Sequence, residues 1–256
     1  MAKTDFHESP FDEGTLTKLD IFELYLREWL PVFLSSTRYK WQELHVFDFF
    51  AGPGTDPEGQ LGSPLRTLQQ LDSYRQRQLP AWKKLHIHVH FFDRDAAKIA
   101  KLETNIQNLR LSVPDVIFDL RPLPFESALT RLNATLSNPL AAKLLFIDQC
   151  GVDHVQDDVF NKLVRFPACD FLFFLSSSTL NRFRDHSAIK QKIMPVDDYY
   201  HVHRAAVSEV YSRRVHAITW LRSQSRKDRT STASFSDQLT RVVWTSSCRL
   251  LGRKTS

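Results

Sequence analysis

The sequence predicts an α/β fold: a doubly wound, mainly parallel sheet with helices on both faces. Five apolar runs rich in strand-forming residues alternate with segments of helical periodicity, and the runs are too apolar for the sheet to have a solvated face. The strands are expected at 45–50, 86–93, 116–120, 143–148 and 170–176. The helices between and after them are expected near 63–77, 95–110, 124–136, 154–165, 178–193 and 197–216.

An amphipathic helix is predicted in front of the first strand, over 17–35. Apolar residues recur there at helical spacing, and Thr17 and Asp20 have the spacing of an N-terminal capping box. The acidic residues 1–14 are expected to be loose, which leaves 15–217 as the main domain.

The composition fits one domain with one good core, because the chain has 256 residues and is 42% hydrophobic. No apolar run approaches the roughly 18 to 20 residues that cross a bilayer, and no signal peptide is recognisable. We therefore expect a cytoplasmic protein with no membrane partner. The three cysteines lack the spacing of a disulfide framework or a structural zinc site, so no metal ligands are expected.

The positive net charge of +5 is confined to the end of the chain. Residues 218–256 contain eight Lys and Arg against two Asp and Glu, whereas the first 217 residues contain 26 basic and 27 acidic groups. We expect 218–256 to form a basic, poorly structured tail. The charge of residues 1–217 therefore gives no support for nucleic acid as a partner.

The loop after the first strand is the first candidate binding site. It has the sequence Asp48-Phe-Phe-Ala51-Gly52-Pro-Gly54. Ligands of parallel sheets bind beyond the carboxyl ends of the strands, and glycines there let the backbone approach a ligand. An acid three residues before a small residue and a glycine resembles the first motif of class I methyltransferases. Asp48, Ala51, Gly52 and Gly54 are therefore predicted to bind S-adenosylmethionine; the alternative is an ordinary turn.

Two further acids follow the next strands. Asp93 ends the second strand, where a carboxylate can accept hydrogen bonds from both hydroxyls of a ribose. Its alternative role, the N-cap of the next helix, suits Asp95 better. Asp119, in the third run, could meet the adenine amino group or be a solvated loop acid.

Asp148 ends the fourth strand and is the predicted catalytic residue. An acid at this point lies beside the methyl group of the cofactor and, in amino-methylating enzymes, accepts a hydrogen bond from the nitrogen that is methylated. A cofactor-orienting or structural role is the alternative. Cys150 and His154 could act as nucleophile and base, but neither has a visible partner in the sequence.

Taken in their order along the chain, these motifs resemble those of the three-Cys-motif partner family over roughly residues 15–217. The resemblance comes from the opening helix, the glycine loop and four further motifs: Gly62-Ser-Pro-Leu65, Phe91-Phe-Asp-Arg-Asp95, Phe146-Ile-Asp148 and Leu180-Asn-Arg-Phe183.

The resemblance implies a Rossmann-like methyltransferase fold, an S-adenosylmethionine site and a radical-S-adenosylmethionine-like three-Cys-motif protein as partner. The chain departs from the family at Gln149 and Cys150, where a proline and an aromatic residue are usual, and it lacks the apolar final antiparallel strands. The predicted function is a methyltransferase of unknown acceptor. The alternative is a non-catalytic module that binds a protein or nucleic acid.

We predict that the tail is translated out of frame from about residue 218. Apolar patterning stops where two strands are due, and the tail can be written in codons whose neighbouring frame encodes two apolar, strand-like runs. The nucleotide sequence of the gene is the measurement. If the neighbouring frame encodes no apolar ending, the tail is genuine.

Overall fold

A computed structural model describes residues 9–38, 40–111, 113–148, 159, 162–163, 165–176, 218–222 and 239–244. The chain divides into two compact units. The first comprises Met1–Ile147 and Phe166–Cys169, and the second comprises Asp148–Arg165 and Asp170–Ser256.

The first unit is built on four parallel strands in the order β3-β2-β1-β4. The chain runs outward from β1 to β3 and then returns to the other side of β1, as expected for a doubly wound sheet. The predicted Rossmann-like fold class is thus confirmed. The strands are β1 (Glu43–Asp48), β2 (His86–Asp93), β3 (Val116–Pro122) and β4 (Ala141–Ile147).

Helices cover both faces of this sheet. Crossovers between parallel strands are right-handed, so the reversal between β3 and β4 puts α4 and α5 on the face opposite α2 and α3. The helices are α1 (Glu13–Leu34), α2 (Ser63–Gln76), α3 (Ala96–Asn108), α4 (Phe125–Arg131) and α5 (Asn133–Ser137), with a 3-10 turn at Trp82–Lys84.

The core of the first unit is rich in aromatic side chains. Phe22 of α1 packs on Phe146 of β4 with ring centroids 4.3 Å apart. On the opposite face, Phe125 of α4 meets Phe49 edge to face at 5.2 Å. Each buried phenylalanine removes a large apolar surface from water, which fixes the helices against the strands.

The first helix begins four residues before its predicted start. Asp12 is its N-cap, and the Asp12 carboxylate accepts a hydrogen bond of 2.7 Å from the Thr15 amide. The capping box predicted at Thr17 and Asp20 is therefore wrong. Asp20 instead forms an ion pair with Arg66 of α2 at 2.7 Å.

Two predictions about the strands also need correction. β1 ends at Asp48, and Phe49 and Phe50 form a turn. β3 is an edge strand of the first unit, with Ile117 49% and Phe118 38% exposed. An apolar sequence predicts a strand but does not reveal which strand lies at an edge, so the expectation that no strand has a solvated face fails at β3.

Among the described residues of the second unit, three strands pair in antiparallel fashion, although Cys169 at the start of β5 belongs to the first unit. β7 (Leu239–Trp244) lies between β5 (Cys169–Ser176) and β6 (Ile218–Arg222) and is antiparallel to both. The prediction that final antiparallel strands are missing is thus wrong. β6 and β7 both carry β-branched and aromatic residues, which favour strands. The polar stretch between them makes this pattern hard to recognise in the sequence.

Several predictions fall on residues outside the described ranges. These are the helices at 178–193 and 197–216, most of the helix at 154–165, and the positions of Gln149, Cys150 and His154. Among the helices that the structure describes, none combines the length and the apolar character needed to cross a membrane.

Candidate functional site

The carboxyl edge of the parallel sheet is where the predicted site residues of the first unit collect. Asp48, the last residue of β1, is in register with Phe91 of β2 and Phe146 of β4. From β1 the chain continues to β2 on one side of it, and after β3 it returns to β4 on the other side. β1 therefore borders the topological switch point of the sheet. Open α/β sheets bind their ligands there.

Asp48 is a buried organiser of the loop that follows β1. Its side chain is 1% exposed. One carboxylate oxygen accepts a hydrogen bond from the Phe50 amide at 3.0 Å, and the other accepts one from the Ser63 hydroxyl at 2.6 Å. Because Ser63 begins α2, Asp48 ties the end of the strand to the start of the next helix.

The two glycines of the loop have left-handed backbone conformations. φ is +60° at Gly52 and +86° at Gly54, a region that residues with a Cβ rarely adopt. A Cβ at Gly54 would lie 2.6 Å from Leu102 Cδ1 of α3. The Gly62 amide also donates to the Gly54 carbonyl at 2.7 Å, which closes the loop.

Asp93 contacts this loop directly. Its Oδ2 accepts a hydrogen bond from the Gly52 amide at 3.1 Å, and its Oδ1 accepts one from the Asp95 amide at 2.9 Å. Beside it, the Ala51 amide donates to the Phe92 carbonyl at 2.9 Å. A carboxylate oxygen can accept two hydrogen bonds, so a half-exposed Asp93 is able to accept further donors.

The N-cap of α3 is Asp95, as the sequence indicated. The Asp95 side chain accepts a hydrogen bond from the Ala97 amide at 2.8 Å. Asp93 is therefore not needed as the cap of this helix and is oriented toward the glycine loop instead.

Three residues that support the loop were missed in the sequence. Ser63 binds Asp48, and Asn105 of α3 donates to the Pro53 carbonyl at 2.8 Å. Asp56, 3% exposed, accepts the amides of Phe11, Glu58 and Gln60 at 2.8–2.9 Å. Burial opposes the charge of Asp56, but these backbone donors hold its pKa below the ordinary value.

Asp119 lies within β3 rather than in a loop. Its carboxylate forms an ion pair with Arg121 and lies 3.4 Å from His90 Nδ1. Burial favours the neutral acid, but the Arg121 hydrogen bond and charge lower the pKa of Asp119 below its ordinary value. The adenine contact stays a prediction.

Asp148 directly follows Ile147, the last residue of β4. It is half-buried and is the first residue of the second unit. Asp148 was predicted to be the last residue of the strand and lies one residue beyond its end. Its catalytic role stays a prediction.

A buried polar cluster on one face of the sheet was not anticipated. We name His45, His88 and His90 the histidine cluster; their ligand nitrogens all lie within 4.8 Å of one another. Burial lowers the pKa of His45 to about 4 and also lowers that of His90. The expectation of no metal ligands rested on the absence of Cys-x-x-Cys and Cys/His ligand spacing. It did not use the alternation His86-Ile-His88-Val-His90, which indicates histidines on one strand face.

Comparison with known proteins identifies no family: neither a family model nor a curated protein sequence matches the chain. Solved structures do match, and they include methyltransferases. DszA carbon methyltransferase is 12% identical, with 88% of this chain and 54% of that chain covered and a TM-score of 0.46.

Two other solved structures come from named organisms. A SAM-dependent methyltransferase from Agrobacterium tumefaciens is 10% identical, with 95% of this chain and 65% of that chain covered and a TM-score of 0.45. TYW2 of M. jannaschii, in complex with AdoMet, is 12% identical, with 91% and 74% covered and a TM-score of 0.34. Likenesses this distant assign no reaction to this chain.

We predict that Gly54→Ala lowers the free energy of unfolding by about 2 to 4 kcal/mol, because it adds a steric clash to left-handed backbone strain. Gly59→Ala is the matched control: φ is +83° there, but nothing lies within 4 Å of the new Cβ. It should cost about 1 to 2 kcal/mol. Urea unfolding measures both, and equal losses would contradict tight packing at Gly54.

Proposed function

We propose that this protein is an S-adenosylmethionine-dependent methyltransferase. The observation that carries the proposal is the 3.1 Å hydrogen bond between the Gly52 amide and Asp93. It joins a glycine loop after β1 to a carboxylate at the end of β2, on the edge of the sheet where nucleoside ligands of parallel α/β folds bind.

The residues present suit the adenosine part of this cofactor. Asp93 has acceptor capacity left for the ribose hydroxyls, and Gly52 leaves the backbone beside Asp93 without a side chain. Gly54 lets the same loop pack closely against Leu102 of α3. Asp48 acts indirectly, by fixing the loop through Phe50 and Ser63. When bound, S-adenosylmethionine supplies an activated methyl group.

Asp148 is the residue that we propose contacts the methyl acceptor. A carboxylate that follows a parallel strand can accept a hydrogen bond from an acceptor nitrogen and hold its lone pair toward the methyl group. The half-burial of Asp148 is compatible with such a contact.

The partner in this proposal is a three-Cys-motif protein, and it comes from the sequence resemblance alone. Co-expression of the two chains followed by purification through a tag on one of them tests it. Failure to co-purify would remove the partner from the proposal without affecting the cofactor site.

We predict that Asp93→Ala weakens binding of S-adenosylmethionine by about 1 to 3 kcal/mol, because a charged hydrogen-bond acceptor is lost. Asp95→Ala is the matched control, since it removes the cap of α3 but leaves Asp93 in place. Calorimetry with S-adenosylmethionine and S-adenosylhomocysteine measures the affinities, with circular dichroism as the check of folding. No binding by the folded wild type would refute the proposed function. Unchanged affinity in folded Asp93→Ala would remove Asp93 from the site.

A second prediction separates catalysis from binding. Asp148→Asn should abolish methyl transfer and leave the cofactor affinity nearly unchanged, because the residue is proposed to act on the acceptor. Labelled cofactor incubated with DNA, RNA and protein fractions reveals the transfer, and calorimetry gives the affinity. An equal collapse of affinity would make Asp148 a cofactor ligand.

A further inference from the structure

The histidine cluster brings three imidazoles from two neighbouring strands onto one sheet face. His45 of β1 is in register with His88 of β2, and His90 follows two residues along β2. His45 and His88 are stacked with ring centroids 4.4 Å apart. Imidazole nitrogens are good ligands of zinc and other late transition metals, whereas magnesium and calcium prefer oxygen.

Two of the rings already have a carboxylate beside one nitrogen, as ligand histidines in known metal sites do. His45 Nε2 lies 3.1 Å from Glu43 Oε2, and His90 Nδ1 lies 3.4 Å from Asp119 Oδ2. In metal sites a carboxylate commonly accepts the N–H of a ligand histidine and leaves the other nitrogen for the metal. Here the other nitrogens, His45 Nδ1 and His90 Nε2, face each other at 3.0 Å.

The number of protons available to these side chains also favours a bound metal ion. The series Glu43, His45, His90 and Asp119 has three close contacts, and each needs a proton between its two atoms. Two neutral imidazoles bring only two protons, and the ionised carboxylates bring none. Two protons satisfy only two of the three contacts. When both outer contacts hold one, the lone pairs of His45 Nδ1 and His90 Nε2 face each other. A bound cation would satisfy both lone pairs.

The gap between His45 and His90 requires only a small adjustment. Two nitrogens bound to one tetrahedral zinc ion at about 2.0 to 2.1 Å are separated by about 3.3 Å, a little more than the gap between His45 and His90. The rings must also rotate out of their stacked arrangement, and rotation of an imidazole about its Cβ–Cγ bond is soft. Access is available from the edge of the sheet, because His88 is half-buried and its neighbour Ile117 is 49% exposed.

Two positive side chains oppose a cation at this place: Arg121, which pairs with Asp119, and Lys143. Lys143 of β4 is in register with His45 and is buried, although its ammonium group donates to the Asn138 carbonyl at 2.6 Å. Glu43 offsets that charge, since it interacts electrostatically with both His45 and Lys143. Lys143 is thus not needed as a ligand.

We propose that the histidine cluster binds one zinc ion through one nitrogen of each of His45, His88 and His90, with water as the fourth ligand. The ion cross-links β1 and β2 on a face of the sheet, so it stabilises the domain independently of methyl transfer.

The test is a titration of untagged, chelator-treated protein with Co²⁺ and then Zn²⁺. We expect one equivalent of Co²⁺ to give the visible absorption of a four-coordinate site, and Zn²⁺ to displace the Co²⁺.

His88→Asn should weaken Zn²⁺ binding at least about tenfold, because one of three ligands is lost. His86→Asn is the control, since His86 is exposed on the same strand. No binding by the folded wild type, or equal binding by folded His88→Asn and the wild type, would overturn the proposal.

A second measurement needs no variant and decides the matter if His88→Asn does not fold. X-ray absorption of the wild-type protein with one equivalent of Zn²⁺ should show three imidazole ligands and no sulfur. A sulfur ligand, or fewer than three imidazoles, would show that zinc binds elsewhere and would refute the proposed site.

Discussion

The parallel register between β1 and β2 is the constraint on which the rest of the first unit depends. Pairing of Asp48 with Phe91 puts the carboxyl ends of both strands at the same edge, where Asp93 reaches the Gly52 amide. The same register pairs His45 with His88 on one face. A shift by one residue would turn every side chain of a strand to the other face and remove both arrangements.

The acids of the glycine loop illustrate how one residue type supports structure and ligand binding at once. The carboxylate oxygens of Asp48 and Asp56 accept hydrogen bonds from the Ser63 hydroxyl and from backbone amides, and these bonds fix the loop. Asp93 also accepts backbone amides but stays half-exposed. A loop fixed before the cofactor arrives loses little conformational entropy on binding, which favours affinity.

The histidine cluster shows that the apolar strands conceal a polar face. Burial of imidazoles without hydrogen-bond partners would cost several kcal/mol, so the carboxylates of Glu43 and Asp119 are needed beside them. A metal ion bound by this cluster would cross-link the two neighbouring strands β1 and β2. Such a role is separate from the chemistry proposed at the carboxyl edge.

The sequence by itself determined the alternation of strands and helices, the glycine loop and the acids at the strand ends, because these depend on local periodicity and turn chemistry. It could not determine that Asp12 rather than Thr17 caps α1, since several side chains compete for the same amides. Only the tertiary structure decided that Asp48 binds Ser63, that β3 is an edge, and that histidines 45 residues apart meet. These contacts depend on strand order and register, which join distant parts of the chain and leave no local trace in the sequence.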